Sequence, residues 1–270
     1  MKFTFEPLTA KQKISKRIFG LFLFSNQVKN TKKINSKFLN VFAIVSIAVF
    51  LLVFVANFLV FGGLIFYKSN HEKTIVSERI YPSVVLPSIS KNSLTEIKQE
   101  TIEIINEEKK PEEITKHYLF FIPFIFFLPI IFLIIVVHEF GHYIMLRRAG
   151  INAKRYGFGA MSIFCLPLFP IAFVDPDMKK LKKASKFNLF SVASAGITMN
   201  MFFGLFSLIG FIFYGGNFFE LSFLLNIGIA MTNVLPIPFL DGSLFFNKIS
   251  SKLNQFLFFG IIFMLVLLFA

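Results

Sequence analysis

The chain reads as an all-α polytopic membrane protein with about five to six transmembrane helices and a re-entrant or membrane-resting β-hairpin near a candidate active site. Three observations predict this. Of 270 residues, 55% are hydrophobic and 41 are phenylalanine, and the mean hydropathy is +0.70. A soluble domain alternates apolar with polar residues and carries charge near a quarter of its length. Long uncharged runs are separated by basic segments, and the run Tyr118 to Val137 leads directly into His138-Glu139-Phe140-Gly141-His142.

Residues 1–37 form a basic leader, whose short apolar piece Ile18 to Phe24 is expected to rest on the membrane surface because no small-residue cleavage site follows it. The first span is 38–67. A polar insert, 68–117, follows; Leu94, Ile97, Ile104 and Ile105 fall at helical spacing after Ser93, whose partner Glu96 completes a capping box. The membrane core, 118–254, holds a second span from about Tyr118 to Leu146 and a third from about Leu189 to Tyr214. A fourth apolar stretch, Leu221 to Phe246, carries the single charge Asp241 and is broken by Pro236 and Pro238. The C-terminal segment, 255–270, is short for a full crossing. This gives five spans, with Phe158 to Val174 as the uncertain sixth. That segment is uncharged, but basic residues flank it on both sides and Gly157, Gly159, Pro167 and Pro170 oppose a continuous helix. A hairpin of extended strands resolves the conflict.

Basic residues set the sidedness. Residues 1–37 carry nine Lys/Arg against one Glu, and 147–187 carry nine against two Asp, so both are expected on the cytoplasmic side of a cell membrane. The insert has eight against nine acids and is expected outside. The net charge of +13 therefore reads as membrane-flanking charge, and no nucleic-acid partner is expected. The single cysteine, Cys165, excludes an internal disulfide.

His138 and His142, at i and i+4, share one helix face and can grip one metal ion, while Glu139 is placed as a general base. With four histidines and twelve glutamates in the chain, random order gives such a motif in roughly one chain in a few hundred. A hydrolytic zinc site needs a third protein ligand and an open position. His71 lies in the insert, and His117 stands roughly 30 Å back along the same helix. Met145 and Arg148 occupy the positions of a metzincin third histidine. Asp175 and Asp177 read as solvated charges beside the Lys179–Lys186 cluster, and Glu220 sits at the outer end of its stretch. Asp241, alone among apolar residues, is the best candidate, since a lone carboxylate at membrane depth is too costly unpaired. The two prolines before it break the helix, which is tolerated there only against protein or a watery cavity.

His-Glu-Phe-Gly-His on one membrane helix, followed by Asn233-Val234-Leu235-Pro236-Ile237-Pro238-Phe239-Leu240-Asp241-Gly242 on a later one, resembles the site-2 protease family of intramembrane zinc metalloproteases. Ala172-Phe173-Val174-Asp175-Pro176-Asp177 is similar to a Phe-Val-Glu-Pro-Asp segment of its archaeal and eukaryotic-type members. Ala195-Gly196-Ile197-Thr198-Met199-Asn200 resembles the Ala-Gly-Pro-x-x-Asn motif of the intervening span, with Ile197 in place of the proline. The resemblance covers about residues 120–250 and implies one zinc per chain held by His138, His142 and Asp241, with Glu139 as catalytic base. It implies substrates that are transmembrane helices of other proteins in the lipid bilayer. Asn200 and Asn233 are read either as interhelical hydrogen-bonding amides or as substrate-orienting groups, and Pro236 and Pro238 as the helix break at the site. The insert lacks the length and glycine loop of a PDZ domain. Two alternatives stand beside this reading: a non-proteolytic zinc-binding scaffold, and another membrane peptidase with the same motif that takes Glu220 as third ligand. Gly196, Asn200 and Gly204 recur every four residues, so one narrow face of the third span is expected to pack closely on a neighbour.

Overall fold

Residues 191–196, Ser-Val-Ala-Ser-Ala-Gly, present almost no side-chain bulk, and a helix built on them can be approached closely from several sides. The architecture follows from that. The computed structural model describes residues 2–7, 19–27, 33–71, 84–88, 119–163 and 166–269. In chain order the elements are β1 (Lys2–Pro7), β2 (Phe19–Gln27), α1 (Lys37–His71), β3 (Val84–Ser88), β4 (Leu119–Pro123), α2 (Phe124–Ala149), β5 (Ala153–Ile163), β6 (Leu166–Pro176), α3 (Met178–Lys183), α4 (Lys186–Tyr214), α5 (Asn217–Asn233), α6 (Asp241–Ile249) and α7 (Ser251–Phe269).

Helix α4 is the hub. It packs against α1, α2, α5 and α6, and every residue from Ser191 to Thr198 is buried. A Cβ added at Gly141 of α2 would lie 2.7 Å from both the Ala195 carbonyl oxygen and Met199 Cγ, so the α2–α4 contact requires glycine there. At the end of α2, Arg148 reaches Asn188 Oδ1 at 3.2 Å and Ser191 Oγ at 3.5 Å. Its guanidinium lies 4.8 Å over the Phe187 ring, a cation–π contact that ties α2 to the first turn of α4.

Among the described residues, three helical stretches are long and apolar enough to cross a membrane, Lys37–Gly63, Phe127–Ala149 and Lys186–Tyr214. Helix α5 has 17 residues, and the apolar stretch Ser251–Val266 of α7 is shorter than a span. The outward faces are the more apolar: Phe38, Leu52 and Leu59 of α1, Phe206 and Ile212 of α4, and Phe256 and Phe259 of α7 are exposed. Ser46, Asn57, Thr198, Asn200, Ser207, Ser222 and Asn226 are buried. Such an inverted pattern suits a lipid surround, where inward polar groups hydrogen-bond between helices, as Ser207 Oγ and Ser222 Oγ do at 2.9 Å. Together with the apolar helices, it marks a membrane protein.

The expected hairpin is present and antiparallel, with Phe158 opposite Ala172 and Gly157 opposite Phe173. It differs from expectation in being half of a four-stranded sheet of order β1-β2-β5-β6, so the fold is mostly helical rather than all-α. The piece Ile18 to Phe24, expected to rest on the membrane surface, instead falls largely within β2, which pairs antiparallel along β5 from Phe19–Ile163 to Gln27–Arg155. The physical reason is edge satisfaction: an open edge of β5 facing an apolar surround would leave amides unpaired. The second span also begins later than expected. Residues 119–123 form β4, which pairs parallel with β3 of the insert, because Pro123 holds Ile122 extended and lacks the amide to continue a helix backwards. The insert helix expected after Ser93 lies outside the described residues.

The break before α6 is anchored by aromatic stacking. Phe245 stacks on Phe50 of α1 at 4.1 Å and on Phe190 of α4 at 4.3 Å between ring centroids, and the first turn of α6 depends on it for placement. Truncating this ring is expected to cost about 3–5 kcal/mol. Phe245→Ala should therefore lower the thermal unfolding midpoint in detergent clearly, whereas Phe256→Ala, on an exposed face of α7, should leave it near wild type.

Candidate metal centre

Helix α2 carries His138, Glu139 and His142, and its i,i+4 geometry turns both imidazoles towards α4. Opposite them, Gly196 makes the room. A Cβ at that position would lie 2.5 Å from His138 Nε2 and 2.6 Å from His142 Nε2, so the two rings occupy the volume that any other residue would fill. Above and below the glycine, α4 supplies partners for the far side of each ring. His142 Nδ1–H donates to the Val192 carbonyl at 2.7 Å, and the Asn200 amide lies 3.0 Å from His138 Nδ1. Positions 192 and 200 stand one turn to either side of Gly196, so the partners of the two rings flank the glycine on which the rings are seated.

The third group comes from the break between α5 and α6. Residues 234–240 leave the helical path at Val234, and Leu240 N–H donates to the Ile237 carbonyl at 3.1 Å, closing a turn with Pro238 and Phe239 at its centre. Phe239 takes φ +77°, the left-handed value that a type II turn requires at this position and that glycine ordinarily supplies. Its ring is fully exposed. A side chain at Gly242 would run into the carbonyl oxygens of Val234 and Leu235, so α6 can start this close to the break only with glycine in its first turn. The result is that Asp241 Oδ2 lies 3.1 Å from His138 Nε2 and 3.2 Å from His142 Nε2, with the two Nε2 atoms 3.1 Å apart.

This triangle fits a metal ion. Zinc–ligand bonds of 2.0–2.1 Å at tetrahedral angles put neighbouring ligand atoms about 3.3 Å apart. Since His142 spends its Nδ1 proton on a carbonyl, its neutral Nε2 is a bare lone pair aimed at a carboxylate oxygen, and the two repel unless a cation lies between them. Asp241 Oδ2 is buried without a hydrogen-bond donor. Among the described residues, His138, His142 and Asp241 are the group of histidine and carboxylate side chains that could hold a metal ion.

Glu139 points to the sheet. Its Oε2 accepts from Val174 N–H of β6 at 2.9 Å, which ties the carboxylate beside the histidine pair to the outer strand of its sheet. The other residues singled out from sequence are dispersed. Asn233 ends α5 and donates from Nδ2 to Ile229 O at 2.9 Å. Pro236 and Pro238 lie within the break. Glu220 is in the first turn of α5, at the end opposite the break and outside the metal group. Asp175 pairs with Arg155 at 3.5 Å, and Asp177 caps α3 by accepting from Lys179 N–H at 3.1 Å. Two participants escaped sequence reading, the Val192 carbonyl and the Val174 amide, because backbone groups leave no mark on residue identity. Gly196 was legible only as a packing position; its recurrence with Asn200 and Gly204 gave the face but not the imidazoles seated on it.

Comparisons with known proteins bear on the same region. Residues 126–217 match the family model described as Peptidase family M50. No curated protein and no solved structure matches the chain. The matched segment includes both histidines, Glu139, the hairpin and the whole of α4, but ends before Asp241, whose position beside the histidines is a matter of geometry. This segment, about a third of the chain, is thus similar to peptidase family M50, the site-2 protease family of membrane metallopeptidases.

Proposed function

We propose that the protein is an intramembrane zinc metalloprotease that hydrolyses peptide bonds within transmembrane helices of other membrane proteins, the chemistry of regulated intramembrane proteolysis. The observation that carries the reading is the convergence of two imidazole nitrogens and a carboxylate oxygen at 3.1–3.2 Å, with two of the three groups on an apolar helix long enough to cross a bilayer. His138, His142 and Asp241 would hold one zinc ion per chain and leave one coordination position open. When bound, the ion supplies a Lewis acid that polarises a carbonyl and acidifies water.

The chain's own groups do the rest. Glu139 takes the proton of the attacking water and returns it to the departing amine. A peptide bond in a transmembrane helix is shielded by its own hydrogen bonds, so the substrate must be unwound where it is cut. The outer strand β6 offers the unwound backbone a partner: Val174 N–H points away from β5, towards Glu139, and with a period of two Ala172 faces the same way. A substrate strand added along these residues would lie beside Glu139. Asn233 is proposed to orient substrate through its amide, one of whose two Nδ2 protons goes to Ile229 O. Five crossings with the N-terminus and the active-site end cytoplasmic accord with the distribution of basic residues.

Zinc content per purified chain is the test that needs no substrate. Wild type is expected to carry about one zinc, and Asp241→Ala to lose it; a metal-free wild type in the presence of added zinc would sink the proposal in favour of a scaffold. Glu139→Gln should keep the metal and abolish cleavage of a membrane-helix substrate, and normal cleavage by this variant would overturn the assigned base. Because the Cβ of Gly196→Ala collides with both rings, this variant is expected to bind zinc at least about tenfold more weakly, a loss of roughly 1.4 kcal/mol or more. Comparing Glu220→Gln with Asp241→Asn separates the two candidate third ligands: only the latter should release the ion.

A further inference from the structure

We infer that the side-chain carbonyl of Asn200 accepts the Nδ1 proton of His138 and so fixes that imidazole in the tautomer whose bare Nε2 faces Asp241. The inference rests on the metalloprotease reading and deepens its metal site. It makes Asn200 a positioning residue rather than one that touches substrate.

The two histidines are held differently on their far sides. His142 Nδ1 meets a backbone carbonyl, Val192 O, at 2.7 Å. A carbonyl can only accept, so that ring has one possible tautomer, with its proton on Nδ1. The structure places Nδ2 of Asn200 3.0 Å from His138 Nδ1, but the two ends of an amide are told apart only by the hydrogen bonds they make. In that orientation Nδ2 donates to a bare Nδ1. The ring proton would then sit on Nε2, aimed into the 3.1 Å gaps to His142 Nε2 and Asp241 Oδ2, and metal ligation would be blocked. That orientation also leaves Oδ1 of Asn200 buried without a donor. Rotating the amide by half a turn exchanges O and N in nearly the same volume. It sets Oδ1 on Nδ1–H, gives the buried oxygen its partner and frees Nε2 for a cation.

Burial makes the choice consequential. Asn200 is 0% exposed and His138 8%, so no bulk water substitutes for the amide. Both sit at the α2–α4 contact, where Val192 and Asn200 lie one turn to either side of Gly196, the position on which both rings are seated. One helix face thus supplies an acceptor for each ring and an open slot between them. A metal-bound histidine with its second nitrogen fixed in this way is a better and more rigid donor, an effect that typically amounts to about 10–100-fold in metal affinity.

The test measures zinc affinity of purified metal-free full-length chains in detergent, by competition with a chromophoric chelator. Asn200→Leu and Asn200→Ala, which remove the acceptor, are expected to bind about 10–100-fold more weakly than wild type. Asn200→Asp, whose carboxylate accepts but does not donate, is expected to bind within a few-fold of wild type. Equal affinity in wild type and both acceptor-free variants would overturn the inference, as would an aspartate variant as weak as leucine, the result expected if the amide served only as a donor or as packing. Failure of the underlying reading is separate, because it appears as absence of zinc in the wild type or retention of zinc by Asp241→Ala.

Discussion

Two imidazole nitrogens and a carboxylate oxygen drawn to within 3.2 Å of one another repel in the absence of a cation or a proton, and the surrounding helices must hold them there against that repulsion. What holds them is the α2–α4 interface. Glycines at 141 and 196 remove the side chains that would keep the helices apart, and the small residues from Ser191 onwards extend the close approach. Once the axes are that near, the far nitrogens of both rings reach hydrogen-bond partners on α4. The energetic logic is that of a preorganised site: packing elsewhere in the membrane core opposes the electrostatic strain at its centre.

The third member arrives by a different device. Asp241 is not part of a long helix but begins a short one, after seven residues of non-helical backbone that contain two prolines and a left-handed phenylalanine. Such backbone is costly in an apolar surround unless protein or water satisfies it. The break is closed by its own turn hydrogen bonds and clamped by the Phe245 stack between α1 and α4. The strain at Phe239 is of a kind that clusters at functional sites, where the surrounding structure over-determines the backbone.

Between these two devices lies the sheet. Its outer strand meets Glu139 through Val174, so the proposed base, the proposed metal ligands and a strand edge that pairs with no further strand among the described residues converge on one region of the molecule. The amino-terminal strands β1 and β2 extend the sheet beyond β5, so that among the described residues β1 and β6 are its edges and β6 is the one that meets the site.

The sequence by itself determined the membrane character, the three long spans and the hairpin, because each is written in local terms: uncharged length, charged flanks, and glycine and proline spacing. It also singled out His138, Glu139 and His142 as a motif, since i,i+4 spacing is a property of one helix. Asp241 was reachable only by elimination, because nothing local says which helix a carboxylate 99 positions after His142 will face. The tertiary structure alone decided the rest. It joined the leader to the hairpin as a four-stranded sheet, started α2 only after Pro123, and put Asn200 against His138. It also gave Val192 and Val174 roles that belong to their backbones. Those outcomes depend on which edges and ring nitrogens remain unsatisfied once the helices have packed, a quantity that exists only after long-range contacts have formed.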